Sequence, residues 1–179
     1  MLKTLAKYSA DLYVNLEKET GVSTGVKQNG SLTVALTEHR HEEILRQASI
    51  AKSFDVDVNE ISISELKSYH PFLNVDGVKG AVHLPLDGQG DPANIAMALA
   101  KGARDLGVKI FEDTKVTGLN THNNSVSGIY WMNKDGKGLI KTENAANCAG
   151  MWARDFAESQ GVTVPLHACE HFYIVTEPV

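Results

Sequence analysis

Three short stretches of this sequence carry residue types at spacings that could do chemistry, and the first is a glycine pair. Gly88, Gly90 and Ala93 form Gly-x-Gly-x-x-Ala, a spacing found in loops that bind a dinucleotide pyrophosphate at a helix N-terminus. Asp91 opposes this interpretation because its carboxylate would repel phosphates, and Pro92 lacks a donor N–H. We therefore predict a turn in which the glycines supply positive φ and Asp91 caps the following helix.

The second stretch, Asn147-Cys148-Ala149-Gly150-Met151-Trp152, lies between a predicted strand and a predicted helix. Ala149 and Gly150 are small, so the backbone there could approach a ligand closely and offer free N–H donors. A plain strand-to-helix turn with Trp152 in the core is the alternative, and the residue types alone favour it. The residue types alone therefore leave open whether this turn binds a ligand.

The third stretch, Glu170-His171-Phe172-Tyr173, falls in a predicted final strand. Because side chains alternate along a strand, His171 and Tyr173 share one face, and Glu170 and Phe172 share the other. An imidazole and a phenol on one face could hold a carboxylate, with the Tyr173 hydroxyl as hydrogen-bond donor. The alternative is a histidine whose hydrogen bonds are purely structural, and it stays open at this point.

Other residues argue against metal and nucleic acid sites. His39 and His41 flank Arg40 at the start of a polar helical pattern, which is typical of a solvated face. Cys148 and Cys169 lack the spacing of a zinc site or a disulfide framework, and we expect both to be buried thiols. The net charge of −5, with lysines and arginines scattered along the chain, argues against a nucleic acid partner, which requires a basic stripe.

Periodicity and turn signals predict the elements that position these stretches. No segment has the roughly 20 apolar residues of a membrane helix, and the N-terminus lacks the apolar core of a secretory signal, so we expect a cytoplasmic protein with no membrane partner. The predicted elements are a helix over 2–19, a hairpin at Asn29-Gly30, a helix capped by Thr37, a strand over 56–61, a helix opened by a capping box at 62–65, a strand over 78–86, a helix capped by Asp91, a three-stranded antiparallel meander, a helix after Gly150 and a strand over 166–175.

Nearly the whole chain resembles a known family. The stretches that carry the resemblance are DGQGDPANIAMALAKGARDLGVKIFEDTKVTGL, NCAGMWARDFA, PLHACEHFYIVTEPV, QNGSLTVALT and HPFLNVDGVKGAVHLP. They resemble the dimethylglycine and sarcosine dehydrogenases, FAD-dependent amine oxidoreductases of the D-amino-acid-oxidase-like superfamily. The resemblance implies a mixed α/β (α+β) fold that combines an antiparallel-sheet substrate-binding domain with the interior of an FAD-binding domain, the latter having a three-stranded meander and flanking helices.

The resemblance also implies domain boundaries. Residues 1–86, completed by residues 165–179, would belong to the substrate-binding domain, and residues 87–164 to the FAD-binding domain. The final strand, with its imidazole and phenol, would then lie beside the flavin and hold the substrate. We take His171 and Tyr173 as the candidate catalytic residues on this basis.

The same resemblance assigns four cofactor-binding residues. The backbone of Val116 would pass the adenine end of FAD, and a plain core valine is the alternative. Ala149 and Gly150 would place their turn against FAD, with Trp152 near it. This reverses the preference for a plain turn that the residue types alone give.

Family members begin with a Gly-x-Gly-x-x-Gly loop and a histidine that can carry flavin covalently, and this sequence starts downstream of both. We expect an internal fragment, inactive and a poor FAD binder by itself, of an enzyme that passes a hydride from the N-methyl carbon of dimethylglycine or sarcosine to FAD. The alternative is a non-catalytic relative, similar to the pyruvate dehydrogenase phosphatase regulatory subunit over PLHACEHFYIVTEP. The implied partner is a small N-methylated amino acid, the electron acceptor stays open, and a eukaryotic protein would lie in the mitochondrial matrix.

Overall fold

The computed structural model describes residues 2–175 and residue 177. Contacts divide the chain into two compact units, which we call unit 1 (Met1–Ile110) and unit 2 (Phe111–Val179). This division differs from the functional boundary predicted between residues 86 and 87. Contact units and ligand-binding domains are different kinds of division, so the assignment of substrate-binding and FAD-binding parts stays a prediction.

Unit 1 contains a three-stranded antiparallel sheet of order β1-β3-β2, with a helix packed on each face. Alternation along the central strand builds a core on both sides, because Val82 packs with Ala35 and Ile44 of one cluster and Ala81 packs with Ile61 and Leu66 of the other. The elements of unit 1 are α1 (Leu2–Thr20), β1 (Ser31–Ala35), α2 (Glu38–Lys52), β2 (Asn59–Ile61), α3 (Ile63–Tyr69), β3 (Gly80–Leu84) and α4 (Pro92–Asp105).

Local capping groups start α2 and α3 at the predicted residues. The Thr37 hydroxyl accepts a hydrogen bond from the Arg40 N–H at 3.1 Å. The Ser62 hydroxyl accepts from the Glu65 N–H, and the Glu65 carboxylate accepts from the Ser62 N–H at 2.7 Å. These bonds satisfy N–H groups that have no partner inside the helix, which is why sequence alone located both helix starts.

The Gly-x-Gly-x-x-Ala stretch is a helix cap and not a phosphate-binding loop. It follows a strand of an antiparallel sheet, and the Asp91 carboxylate already accepts hydrogen bonds from the N–H groups of Ala93 and Asn94 at 2.9 and 3.0 Å. The predicted cap is confirmed, but the predicted positive φ is wrong for both glycines. Gly88 serves close packing instead, since a Cβ there would lie 2.0 Å from the Lys27 carbonyl oxygen.

The predicted hairpin at Asn29-Gly30 is wrong. Gly30 does adopt a φ of +79°, but the residues before it form only a single bridge, from Lys27 to Gln89. The strand after it, β1, pairs with the distant β3. Pairing with a strand that is buried on both faces outweighs the local turn signal.

Unit 2 contains the predicted three-stranded antiparallel meander, with strands β4 (Lys115–His122), β5 (Ser125–Asn133) and β6 (Gly136–Lys141) in that order. The β4–β5 turn uses Asn123 and Asn124, both with positive φ, as a two-residue hairpin requires. A 3₁₀ turn over Gly150–Trp152 then leads directly into α5 (Ala153–Ser159). Both the meander and the helix after Gly150 are thus confirmed.

The final strand predicted over residues 166–175 is wrong. The segment has no regular secondary structure, and Phe172 and Tyr173 are 93% and 85% exposed. An extended segment becomes a strand only when a neighbouring strand accepts and donates its backbone hydrogen bonds, and the described residues supply no such neighbour to this segment. The prediction that His171 and Tyr173 share one face of a strand therefore does not apply to this segment.

At the level of fold class the prediction is confirmed: the chain is mixed α/β, with antiparallel sheets and flanking helices. Among the described residues no helix has the length and apolarity that crossing a bilayer requires. Both cysteines are exposed, so their predicted burial is wrong.

Candidate functional site

A cavity of about 810 Å³ lies within unit 2, a volume in the range of small-molecule sites. One wall is the edge strand β4 with part of β5, and the other is formed by the segment before Gly150 together with α5. Eight of its fourteen lining residues are apolar, so a flat, largely apolar ligand suits it. The lining residues are Lys115, Val116, Thr117, Leu119, Ile129, Ala145, Ala146, Asn147, Cys148, Ala149, Trp152, Asp155, Phe156 and Ser159.

The Asn147 side chain holds the turn that forms one wall. Its Nδ2 donates to the Ala153 carbonyl at 2.9 Å, and its Oδ1 accepts from the Ala149 N–H at 3.2 Å. Gly150 has a φ of +54° with open space where a Cβ would be, so glycine is favoured there by the backbone and not by packing. The amide therefore ties the cavity lining to the first residue of α5.

Residues on α5 and the preceding 3₁₀ turn face the cavity as a single stripe. Trp152, Asp155, Phe156 and Ser159 are spaced three, one and three residues apart, which places them on one helical face. Trp152 is 66% exposed, so it is not a core residue. Its indole forms part of an open cavity wall.

A β-bulge and a glutamine shape the opposite wall. The register between β4 and β5 shifts between Val116 and Gly118, which leaves Thr117 without a partner on β5. Gln160, just beyond α5, accepts a hydrogen bond from the Leu119 N–H at 2.8 Å through its Oε1. This bond fixes the end of α5 beside the edge of β4 and so sets the width of the cavity there.

The electrostatics of the cavity suit a neutral group better than an anion. Lys115 is the cation among the lining residues and Asp155 is the anion, so their charges offset each other. Three lining alanines bring the backbone of residues 145–149 close to any occupant. An apolar lining with backbone and hydroxyl groups suits a flat neutral ring better than a pyrophosphate.

The structure brings together three of the four residues assigned to a cofactor from the sequence. Val116, Ala149 and Trp152 line the cavity, and Gly150 lies between the last two in the turn. His171 and Tyr173 do not join them, because both are exposed on the irregular segment and neither lines the cavity. Their predicted roles stay predictions.

Asn147 and Gln160 have positioning roles that the sequence did not reveal. Asn147 stood inside a recognised stretch, and an amide side chain that could bond back to the backbone two residues on was the available signal. Gln160 offers no such signal, since its partner Leu119 is 41 residues away. Among the described residues, no group of three His, Cys, Asp or Glu side chains could hold a metal ion.

Arg154, on α5, has contacts outside the cavity. Its Nε donates to the Glu158 carboxylate at 2.8 Å, and this hydrogen bond raises the pKa of the guanidinium. Its Nη1 donates to the Leu166 carbonyl at 3.4 Å. Arg154 therefore links α5 to the start of the segment that leads toward His171.

Comparisons with known proteins show the family to which the chain belongs. A family model described as "DAO: FAD dependent oxidoreductase" matches residues 1–179. Human mitochondrial sarcosine dehydrogenase is 37% identical over 169 residues, which are 92% of this chain and 18% of that protein. Rat mitochondrial dimethylglycine dehydrogenase is 32% identical over 178 residues, which are 99% of this chain and 20% of that protein.

Two further relatives widen the comparison. The mitochondrial pyruvate dehydrogenase phosphatase regulatory subunit of Mus musculus is 36% identical over 176 residues, covering 97% of this chain and 20% of that protein. The crystal structure of L-proline dehydrogenase from P. horikoshii matches with a TM-score of 0.76 and 29% identity, over 89% of this chain and 41% of that chain. The chain thus spans about a fifth of the length of the curated relatives that it matches. It belongs to the DAO family of FAD-dependent oxidoreductases, as its resemblance to dimethylglycine and sarcosine dehydrogenases predicted.

Proposed function

We propose that the protein containing this chain oxidises a small N-methylated amino acid, of the sarcosine or dimethylglycine type, with FAD as hydride acceptor. The observation that carries the proposal is the meeting of Val116, Ala149 and Trp152 in one cavity, since sequence resemblance assigned these separated residues to one cofactor. Relatives named as sarcosine and dimethylglycine dehydrogenases support the substrate class. FAD, when bound, supplies the hydride acceptor for oxidation of the N-methyl carbon.

The cavity residues would hold the adenosine end of FAD. The Val116 backbone lies on β4, an edge strand of the meander, and among the described residues no strand pairs with its other side. Ala149 allows the turn backbone to approach closely, and Trp152 adds an aromatic wall. These groups bind and orient; none of them needs to move a proton.

On the substrate side, His171 and Tyr173 would hold the carboxylate and keep the amine oriented. The N-methyl C–H bond must point at the flavin for hydride transfer, and orientation of this kind is what positioned side chains supply. No strong base is required, because the amine reacts in its neutral form and the hydride leaves from carbon. For this role we propose that residues 165–179 belong to the substrate-binding part together with residues 1–86.

The substrate proposal is tested in the whole protein that contains this chain. Under anaerobic conditions, sarcosine, dimethylglycine, L-proline and glycine are each mixed with the flavin-loaded protein, and bleaching of the visible flavin band is followed. We expect the N-methylated amino acids to bleach the flavin, with formaldehyde released after hydrolysis of the imine. Bleaching by proline or glycine alone would contradict the substrate class.

The side-chain roles are tested with paired variants. His171→Gln and Tyr173→Phe should raise KM for the N-methylated substrate by about tenfold each, because each removes a hydrogen bond to a charged group. Phe172→Leu and Glu170→Gln, between and beside them, are the controls. Equal effects of all four variants on KM would show that the segment matters only structurally.

A second candidate is a non-catalytic, partner-binding function. It is favoured by one observation, which is the 36% identity with the pyruvate dehydrogenase phosphatase regulatory subunit over 97% of the chain. The anaerobic experiment separates the two functions, since a regulatory protein would leave the flavin oxidised with every amine. We propose a cytoplasmic location or, in a eukaryote, the mitochondrial matrix. Relatives named as mitochondrial support the second location. The electron acceptor stays open.

A further inference from the structure

The second face of the unit 2 meander lies opposite the side of the sheet on which Leu119 and Ile129 line the cavity, and apart from Lys115 it has no part in the proposed function. Residues paired directly across the three strands lie on the same face of the sheet. The register gives three rows, which are Lys115-Met132-Lys137, Gly118-Tyr130-Leu139 and Asn120-Gly128-Lys141. We call these nine residues the lysine face.

The lysine face is positively charged within an acidic unit. Unit 2 has five lysines and arginines against eight aspartates and glutamates, yet β4, β5 and β6 contain no acidic residue. Lys115, Lys137 and Lys141 are exposed, and within the described residues none of them has an ion-pair partner. Lys115 also borders the cavity, so Lys137 and Lys141 are the cations that belong to this face alone.

The centre of the lysine face is apolar and ordered. Tyr130, Met132 and Leu139 are 43%, 48% and 39% exposed. The Tyr130 hydroxyl donates to Asn120 Oδ1 at 3.2 Å, and Leu139 packs where Gly128 has no side chain. A rigid aromatic with aliphatic neighbours is the kind of centre on which protein interfaces concentrate their binding energy.

We propose that the lysine face docks an acidic protein partner whose carboxylates surround one apolar side chain. Charge complementarity selects the partner: carboxylates match Lys137 and Lys141, with Lys115 at the cavity border, and the apolar side chain matches Tyr130, Met132 and Leu139. Three cations are fewer than the six to ten phosphate contacts of strong nucleic acid binding. The rows span about 10 Å by 14 Å between Cα atoms, so the complex is small and transient.

The test uses the whole protein that contains this chain and a short fluorescein-labelled peptide of glutamates around one central leucine. Fluorescence anisotropy gives the Kd for the wild type, for the double variant Lys137→Glu/Lys141→Glu and for the control Lys52→Glu/Lys67→Glu, which makes the same charge change on exposed positions of unit 1. We expect about tenfold weaker binding in the first double variant, and little change in the control. Replacing the central leucine by alanine should also weaken binding.

Three results would overturn the proposal. The first is an equal loss of peptide affinity in both double variants. The second is tight binding of phosphatidylserine vesicles or an RNA oligonucleotide through Lys137 and Lys141 in place of the peptide. The third comes from acetylation with N-hydroxysuccinimide acetate, which does not depend on the folding of any variant. Lys137 and Lys141 must react in the free protein and be protected by the peptide, and failure to react in the free protein would mean that the face is covered.

Discussion

Asn147 is the side chain on which the cavity-forming turn most depends. Its amide bonds to both Ala149 and Ala153, so Asn147→Ala removes two hydrogen bonds at once. We expect a loss of about 1–2 kcal/mol in the free energy of unfolding, measured by urea denaturation. Asn144→Ala is the control, because the contacts of Asn144 to Thr142 run through its backbone; equal losses in both variants would contradict the bridging role.

Glu65 makes the start of α3 sensitive to pH. Hydrogen bonds from the Ser62 hydroxyl and then the Ser62 N–H lower the pKa of this carboxyl below its ordinary value. A group with a lowered folded-state pKa stabilises the fold above its unfolded pKa, and this contribution is lost as the pH falls through the folded pKa. Glu65→Gln should therefore lower Tm at pH 7 and lose that difference at acidic pH, as measured by thermal unfolding across pH 3–7. A Tm difference that stays constant over this range would rule out the ionised form as the stabilising one.

These features show which contacts of single residues could be predicted from the sequence. The caps at Ser62 and Asp91 depend on atoms two or three residues apart, so local rules found them. The charge of Asp91 and the missing N–H of Pro92 were also enough to reject the glycine pair as a phosphate loop. The bond from Gln160 to Leu119 depends on folding of the whole unit, and no local rule reaches it.

At the scale of elements, Gly88 lies where two loop segments are joined by the bridge between Lys27 and Gln89. A Cβ there would lie 2.0 Å from the Lys27 carbonyl oxygen, which is backbone and cannot swing aside. We expect Gly88→Ala to lower the free energy of unfolding by about 1–3 kcal/mol, as overpacking does. Urea denaturation measures the loss.

Gly102→Ala provides the matched control for this variant. Its Cβ would lie 3.3 Å from the end of the Thr20 side chain, and alanine has the higher helix propensity. Its loss should therefore be smaller than that of Gly88→Ala. If the two variants were equally destabilised, the close approach to Lys27 would not be the reason that position 88 is glycine.

Elements formed by neighbours in sequence were predictable, and elements formed by distant partners were not. The meander strands follow one another through short turns, and α4 carries both of its own boundary signals. β1 instead pairs with β3, about 50 residues along the chain, which defeated the hairpin prediction. The segment 166–175 has the composition of a strand, but its pairing depends on residues that sequence periodicity does not identify.

At the scale of the whole molecule, the candidate site is partly local and partly distributed. Val116 and Trp152 come together because the meander and α5 belong to one compact unit. The family resemblance predicted that both residues bind the same cofactor, and the structure shows that both line one cavity. The substrate side stays a proposal, because the final segment belongs to unit 2 and residues 1–86 belong to unit 1.

The final prediction concerns binding of FAD by the 179-residue chain. Because Lys115 is offset by Asp155 in the cavity, the chain lacks a positive site there for pyrophosphate. Its Kd for FAD should be about 100-fold weaker than that of the whole protein, which corresponds to one or two hydrogen bonds to charged groups. Adenosine should quench Trp152 fluorescence in a Trp131→Phe background, whereas riboflavin should not. Tight stoichiometric FAD binding would contradict the expected loss of affinity, and quenching by riboflavin alone would mean that the cavity holds the flavin ring and not the adenosine end.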